Sequence, residues 1–203
     1  MLVTDRRRVG ARRLLEVIER SCAGGLRLVQ LREPDLEDDG LLELAFDLRR
    51  RVPRVRLILN DRPDLAATHG FGVQLPERRP AIAASHAVRE LGFGRSVHEE
   101  AAALAAENEG ADWLVLGTIF PTPSKPGLGG GGLDLVRRIC RRVAPRPVFA
   151  IGGVTVAAAP QLRRAGAYGV AVSRAILDAG AVASATRALL DALRDPAPPA
   201  LSR

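Results

Sequence analysis

Eight strand-like apolar runs, each followed by a helix-like segment, predict a single-domain α/β chain closed as a compact (β/α)8 TIM barrel. Three observations carry this expectation. The alternation is strict from Leu2 to Leu193. The runs are mostly aliphatic, as strands covered on both faces must be, and aromatic residues make up only 3% of the chain. Polar residues recur just past the strand-like runs: Asp5, Gln30 and Arg32, Asn60 and Asp61, Ser96 and His98, Thr122 to Lys125, Gly152 and Gly153, and Ser173 with Arg174. A closed barrel brings all eight strand ends to one mouth. An open sheet gathers only those beside its switch point.

In chain order, Leu2 to Asp5 reads as a short first strand. Residues Arg12 to Ala23 carry Leu14, Leu15, Val17, Ile18 and Cys22 at helical spacing, and Gly24-Gly25 stops them. Leu26 to Arg32 is the second strand, and Asp35 or Asp38 caps a helix running to about Arg51. Val55 to Leu59 is a third strand, after which Pro63 opens a short helix. Phe71 to Leu75 is a fourth strand, Pro80 to Leu91 a helix, and Phe93 to Val97 a fifth strand. An Ala-rich helix from Glu99 ends at Gly110, and Trp113 to Gly117 is the sixth strand. Leu133 to Val143 is helical, Pro147 to Ile151 a seventh strand, and Thr155 to Ala165 a helix. Tyr168 to Val172 is the eighth strand, followed by one long helix from about Ala175 to Leu193. The barrel is expected over residues 1–194, with 195–203 a Pro- and Ala-rich tail that frays.

The chain has 203 residues, enough for one domain with a sizeable core. Its net charge is +7. The arginines are scattered over helix faces and ends, and there is little aromatic surface for stacking on bases, so nucleic acid is not the expected partner. The positive field suits small anionic substrates instead. Cys22 and Cys140 lack metal-ligand spacing and read as two buried thiols of a reducing compartment. No apolar run approaches membrane-spanning length, and a cytoplasmic enzyme is expected.

Lys125 is the single lysine among 30 Lys and Arg residues, and it sits in a loop followed by the glycine run Gly129 to Gly132. A compact ammonium there suits a phosphate oxygen or another small anion. Gly152, Gly153, Ser173 and Arg174 follow strands seven and eight, where barrels commonly bind phosphate through backbone N–H groups. Asn60-Asp61 reads either as a turn capping the next helix or as a Mg²⁺ position. His98 ends the fifth strand, and imidazole titrates near working pH as a proton-transfer group must. A helix cap is its other reading.

Taken together, Leu2 to Asp5, Gln30-Leu31-Arg32, Asn60-Asp61-Arg62, Gly72 to Leu75, Gly94 to His98, Thr122 to Lys125, Ala150 to Gly153 and Gly169 to Val172 resemble, in order, the thiamine phosphate synthase / thiazole tautomerase superfamily. The resemblance covers roughly Leu2 to Leu193. It implies a barrel acting on a thiazole phosphate in thiamine biosynthesis, and a homodimer. Gln30, Arg32, Asn60, Asp61, Ser96, Thr122 and Ser124 fall at substrate-binding positions, and Gly152, Gly153, Ser173 and Arg174 at phosphate-binding ones. His98 and Lys125 fall at catalytic ones.

Two departures favour the tautomerase branch. The synthase has a lysine two residues after the arginine of its Gln-Leu-Arg motif, where this chain has Pro34. The synthase also carries a second metal-binding aspartate after strand four, where this chain reads Pro76-Glu77-Arg78-Arg79. The expectation is therefore an isomerase that needs no cofactor, with His98 as general acid/base. The first alternative is a Mg²⁺-dependent synthase, a transferase holding the metal through Asp61. The second is a non-catalytic binder or regulator of thiamine intermediates.

Overall fold

A strand covered by helices on one side and by barrel contents on the other needs apolar residues on both faces, and the eight strands have them. The computed structural model describes residues 1–80, 86–122, 127 and 129–194. The strands are β1 (Leu2–Val3), β2 (Leu28–Leu31), β3 (Arg56–Asn60), β4 (Gly72–Leu75), β5 (Phe93–Val97), β6 (Trp113–Leu116), β7 (Val148–Ile151) and β8 (Gly169–Ala171). They form one sheet in sequence order, and every neighbouring pair is parallel. A parallel bridge between Leu2 and Val172 joins the last strand to the first. The Val3 N–H donates to Val172 O at 2.8 Å and the Val172 N–H to Met1 O at 3.0 Å, so the sheet edges are paired.

The helices among the described residues are α1 (Arg6–Val9), α2 (Ala11–Ala23), α3 (Asp38–Arg51), α4 (Pro63–His69), α5 (His86–Leu91), α6 (Glu100–Glu109), α7 (Gly132–Arg142), α8 (Ala159–Arg164), α9 (Arg174–Leu177) and α10 (Val182–Leu193). They lay their apolar stripes on the outside of the sheet. On α2 the buried positions are Leu14, Val17, Ile18 and Ser21, spaced as one helical face. The outer core joins these to the outward strand residues Val29, Leu31, Leu57, Leu59, Leu114 and Leu116. Burying each such side chain is worth about 2 kcal/mol. A smaller inner cluster of Val3, Ile58, Trp113, Val115 and Ala171 fills the barrel, flanked by Met1, Leu28, Phe149 and Ile151. The period of two that separates these sets is legible in the strands themselves.

Three local expectations are corrected. The long helix from Ala175 to Leu193 is two helices, α9 and α10. The chain tightens at Ala179, whose N–H bonds back only to Ile176 O, and Gly180 follows as a poor helix residue. The helix expected from Thr155 begins at Ala159, because Pro160 lacks the N–H that would extend a regular helix backward. The cysteines are half-buried rather than buried, and both are free. Burial still pushes each thiol up to about 11, so both are protonated and inert at neutral pH.

Candidate active site

Inward-facing polar residues form a layer just beneath the C-terminal ends of the strands. Gln30 on β2 donates through Nε2 to Asn60 Oδ1 on β3 at 2.9 Å. Gln74 on β4 accepts the Trp113 indole N–H at 2.7 Å and donates to Ser96 Oγ on β5 at 3.1 Å. Thr4 accepts the Arg32 backbone N–H at 3.0 Å, tying the end of β2 to the end of β1. Gln74 is wholly buried and Gln30 is 4% exposed, so each amide's bonds matter: an unmade one costs about 1–3 kcal/mol. Gly94 makes room for this layer, since a Cβ there would overlap the Trp113 indole. The result is a fixed polar floor for the mouth.

On the side of β3 to β5 the mouth is built from side-chain charge. Asp61 follows β3 with φ +57, and its N–H donates to Gln74 O at 2.9 Å. Aspartate tolerates that left-handed backbone better than most residues, and the bond to Gln74 O holds it there with the carboxylate toward Arg79. Arg79, from the loop after β4, donates through Nε to Asp61 Oδ1 at 2.5 Å, and Arg78 lies 3.9 Å from Oδ2. Glu77 of the same loop accepts from His98 Nδ1 at 2.7 Å. That bond fixes the tautomer and leaves Nε2 as the nitrogen able to accept a proton. The His98 side chain is 50% exposed, so it stands on the rim and not in the barrel.

The loop carrying these groups is held from below by Arg95. This arginine occupies an outward position on β5 and is 4% exposed. Its guanidinium pairs with Glu109 of α6 through two bonds of 2.7 Å. It also donates to Pro76 O and Arg79 O, both at 2.8 Å, and to Pro80 O at 3.0 Å. One buried cation therefore satisfies three loop carbonyls and sets where Glu77, Arg78 and Arg79 project.

The opposite side of the mouth is built from backbone. Gly152 and Gly153 follow β7 with φ +100 and +62. A Cβ at Gly152 would lie 2.6 Å from Thr118 Cγ2, and one at Gly153 2.6 Å from Pro121 O. The loop after β6 packs that closely because the Ile119 N–H donates to Ile151 O at 2.9 Å and the Phe120 N–H to Gly152 O at 3.1 Å. Ser173 opens α9, its carbonyl accepting the Ile176 and Leu177 N–H groups. Arg174 reaches Asp178 at 3.4 Å, and Arg8 of α1 pairs with the same carboxylate. Arg8 holds the Asp178 carboxyl below the usual range. Beside Arg8, the buried Glu33 accepts the Arg6 N–H at 2.9 Å. Burial raises its carboxyl above the ordinary value, against the opposing bonds from Thr4 and Arg6.

The structure thus brings Gln30 to Asn60 and places Asp61 at the end of β3, and Ser96 and His98 at the end of β5, with β4 between them. Arg32 is exposed at the end of β2. Thr122 is part-buried on the loop after β6. Ser124 and Lys125 lie outside the described residues. Sequence reading did not assign roles to Gln74, Arg79 or Arg95. Arg95 carried a signal, because an arginine at an outward position of a buried strand requires a buried partner.

Asp61 is the residue to test against a divalent cation. Among the described residues no group of three or more His, Cys, Asp or Glu side chains is placed to hold a metal. Mg²⁺ does not demand such a cage. It keeps several waters and is commonly held by one or two carboxylates together with substrate phosphates. The aimed carboxylate of Asp61, 23% exposed on the rim, fits that mode, provided that Arg79 yields the oxygen it now occupies.

Comparison with known proteins follows from this geometry. Residues 1–176 match the family model described as thiamine monophosphate synthase. The thiamine-phosphate synthase of Thermus thermophilus is 39% identical over 197 residues, covering 95% of each chain. That of Roseiflexus castenholzii is 38% identical over 198 residues, covering 94% of this chain and 86% of the relative. The structure of thiamine phosphate pyrophosphorylase from Pyrococcus furiosus superposes with a TM-score of 0.84 at 30% identity, covering 96% of this chain and 94% of that one. These relatives overturn the expected tautomerase and its isomerase class. They also overturn the expectation of no cofactor, since the synthase branch is the Mg²⁺-dependent one. The physical reason lies in the two departures taken as losses. Pro34 and the Glu77-Arg78-Arg79 segment do not empty the mouth of charge, because Arg79 delivers a cation there from the neighbouring loop. The chain belongs to the thiamine monophosphate synthase family.

Proposed function

We propose that this protein is a thiamine-phosphate synthase, joining hydroxymethylpyrimidine diphosphate to a thiazole phosphate with release of diphosphate. The similarity to synthases across about 95% of the chain is the observation that carries the reading. The geometry supports it: one side of the mouth offers close backbone approach for a phosphate, and the other offers charge for a diphosphate.

In this reading the C–O bond to diphosphate breaks, its electron pair leaving with the diphosphate, and the thiazole nitrogen supplies the pair for the new C–N bond. No proton moves in that exchange, so His98 need not act as a base. Bound Mg²⁺ would neutralise charge developing on the leaving group. Asp61 would hold the metal side. Arg32, Thr122, Ser124 and Lys125 would contact the diphosphate. The Gln30–Asn60 pair and Ser96 would orient the pyrimidine above the polar floor. Gly152, Gly153, Ser173 and Arg174 would hold the thiazole phosphate. A fixed site of this kind gains rate from positioning and preorganised charge.

The test is direct. Purified protein given both substrates should release diphosphate and form thiamine phosphate only when Mg²⁺ is present. His98→Gln should keep turnover within about tenfold of the parent, because it touches no moving proton. Absence of diphosphate release at saturating substrates and Mg²⁺ would refute the assignment.

A further inference from the structure

Arg79 occupies a carboxylate oxygen that the proposed synthase reading needs for its metal side, and this conflict has a physical resolution. The Asp61 backbone is anchored at φ +57 by the bond from its N–H to Gln74 O, and its short side chain has little reach of its own. The Arg79 backbone is equally fixed, because its carbonyl is held by the buried Arg95. The Arg79 guanidinium, by contrast, stands on a long stem, with its side chain 34% exposed. Of the two partners the arginine is the one able to move. A cation held at Asp61 would compete with it for the carboxylate, and a guanidinium released there would need another anion. In the synthase reading the substrate diphosphate would be that anion.

Resting on the synthase reading, we propose that Arg79 is a diphosphate-binding residue that exchanges partners. It neutralises Asp61 while the mouth is empty and passes to the diphosphate when the metal–diphosphate substrate enters. A planar guanidinium suits this role, since it can take two oxygens of a phosphate as readily as two of a carboxylate. It also places a cation at the mouth of a chain that has Pro34 where the synthase motif has lysine. Arg78, farther from Asp61 at 3.9 Å and with a side chain 83% exposed, is the lesser contributor.

The exchange has a signature that simple loss of an active-site cation lacks. Metal and Arg79 compete for Asp61, so the metal alone binds weakly, whereas metal and diphosphate together bind cooperatively. Titration calorimetry with Mn²⁺ alone, and with Mn²⁺ plus inorganic diphosphate, reads both terms without turnover. Arg79→Ala should bind Mn²⁺ alone about threefold more tightly than the parent, because Asp61 is freed. The same variant should bind diphosphate in the presence of Mn²⁺ about tenfold more weakly. Arg78→Ala should change each value less. A gain in Mn²⁺ affinity cannot arise from misfolding, so the first measurement keeps the test meaningful if the variant is destabilised. Unchanged or weakened Mn²⁺ binding in Arg79→Ala would overturn the exchange, as would unchanged diphosphate binding. If the parent turns over both substrates and either result is seen, only the exchange fails. If the parent neither turns over nor binds diphosphate with Mn²⁺, the synthase reading fails and takes the exchange with it.

Discussion

The two sides of the barrel mouth are built by different physics, one from backbone and the other from side-chain charge. After β7 and β8 the chain uses glycine backbone packed tightly against a neighbouring loop, with Gly152 and Gly153 fixed by steric exclusion. After β3, β4 and β5 it uses paired side chains, Asp61 with Arg79 and Glu77 with His98, on a loop held by one buried arginine. The backbone side is rigid and tolerates almost no substitution. The side-chain side is adjustable, because ion pairs exposed at a rim are individually weak and can be exchanged. In the proposed synthase, the rigid side would suit a phosphate that never reacts, and the adjustable side a diphosphate that must arrive and leave.

Substitutions can break or sharpen this contrast. The largest effect is expected at Arg95, on which the adjustable side depends. Arg95→Met removes the buried cation paired with Glu109 and its bonds to three loop carbonyls, and should cost about 3–5 kcal/mol in denaturant unfolding. Replacing Glu109 by Leu in the same protein should recover much of that stability without restoring diphosphate binding. Recovery of both would show that the loop does not need Arg95 to aim it.

The next effect is expected on the rigid side. Gly152→Ala imposes a left-handed backbone on a residue with a side chain and places its Cβ against Thr118. A cost of about 2–4 kcal/mol follows from strain and overpacking together. The KM for the thiazole phosphate should rise while the affinity for diphosphate with Mn²⁺ is kept. An equal loss of both would mean that the two sides are one cooperative unit.

The smallest effect is expected at Glu33, beneath the loops after β1 and β2. Its carboxyl is raised in the folded protein chiefly by burial. The folded state therefore keeps a proton that the unfolded state releases, and stability falls as pH climbs from the ordinary glutamate value to the raised one. Below that window the group is neutral in both states and costs nothing. Glu33→Gln, which retains an oxygen for the Arg6 N–H, should flatten that slope in thermal unfolding followed from pH 4 to pH 7. An unchanged slope would mean that the Glu33 charge is compensated in the folded state.

Much of this molecule was legible in the chain. Strand–helix alternation gave the barrel, since parallel strands buried on both faces must be aliphatic and each needs a crossover helix. Gly152-Gly153 pointed to a close approach, and their places at the ends of the strand-like runs put Gln30, Asn60 and Ser96 at the same mouth. The branch of the family was misjudged for a physical reason. Pro34 and the segment Pro76 to Arg79 each read, taken alone, as the loss of a clamp cation and of a metal carboxylate. A barrel mouth collects charge from eight loops, so a group missing from one can be supplied by the next.

What sequence determined, then, is everything set by local periodicity and by steric necessity: the order and type of the elements, the inward and outward faces, and the glycine cradle. What tertiary structure alone decided is which charges meet. Arg79 finds Asp61 across 18 residues and His98 finds Glu77 across 21, each from a different loop. Those pairings depend on the register and closure of the sheet, and on Arg95 fixing the loop from beneath. Periodicity along one strand carries no information about the height at which its neighbour ends.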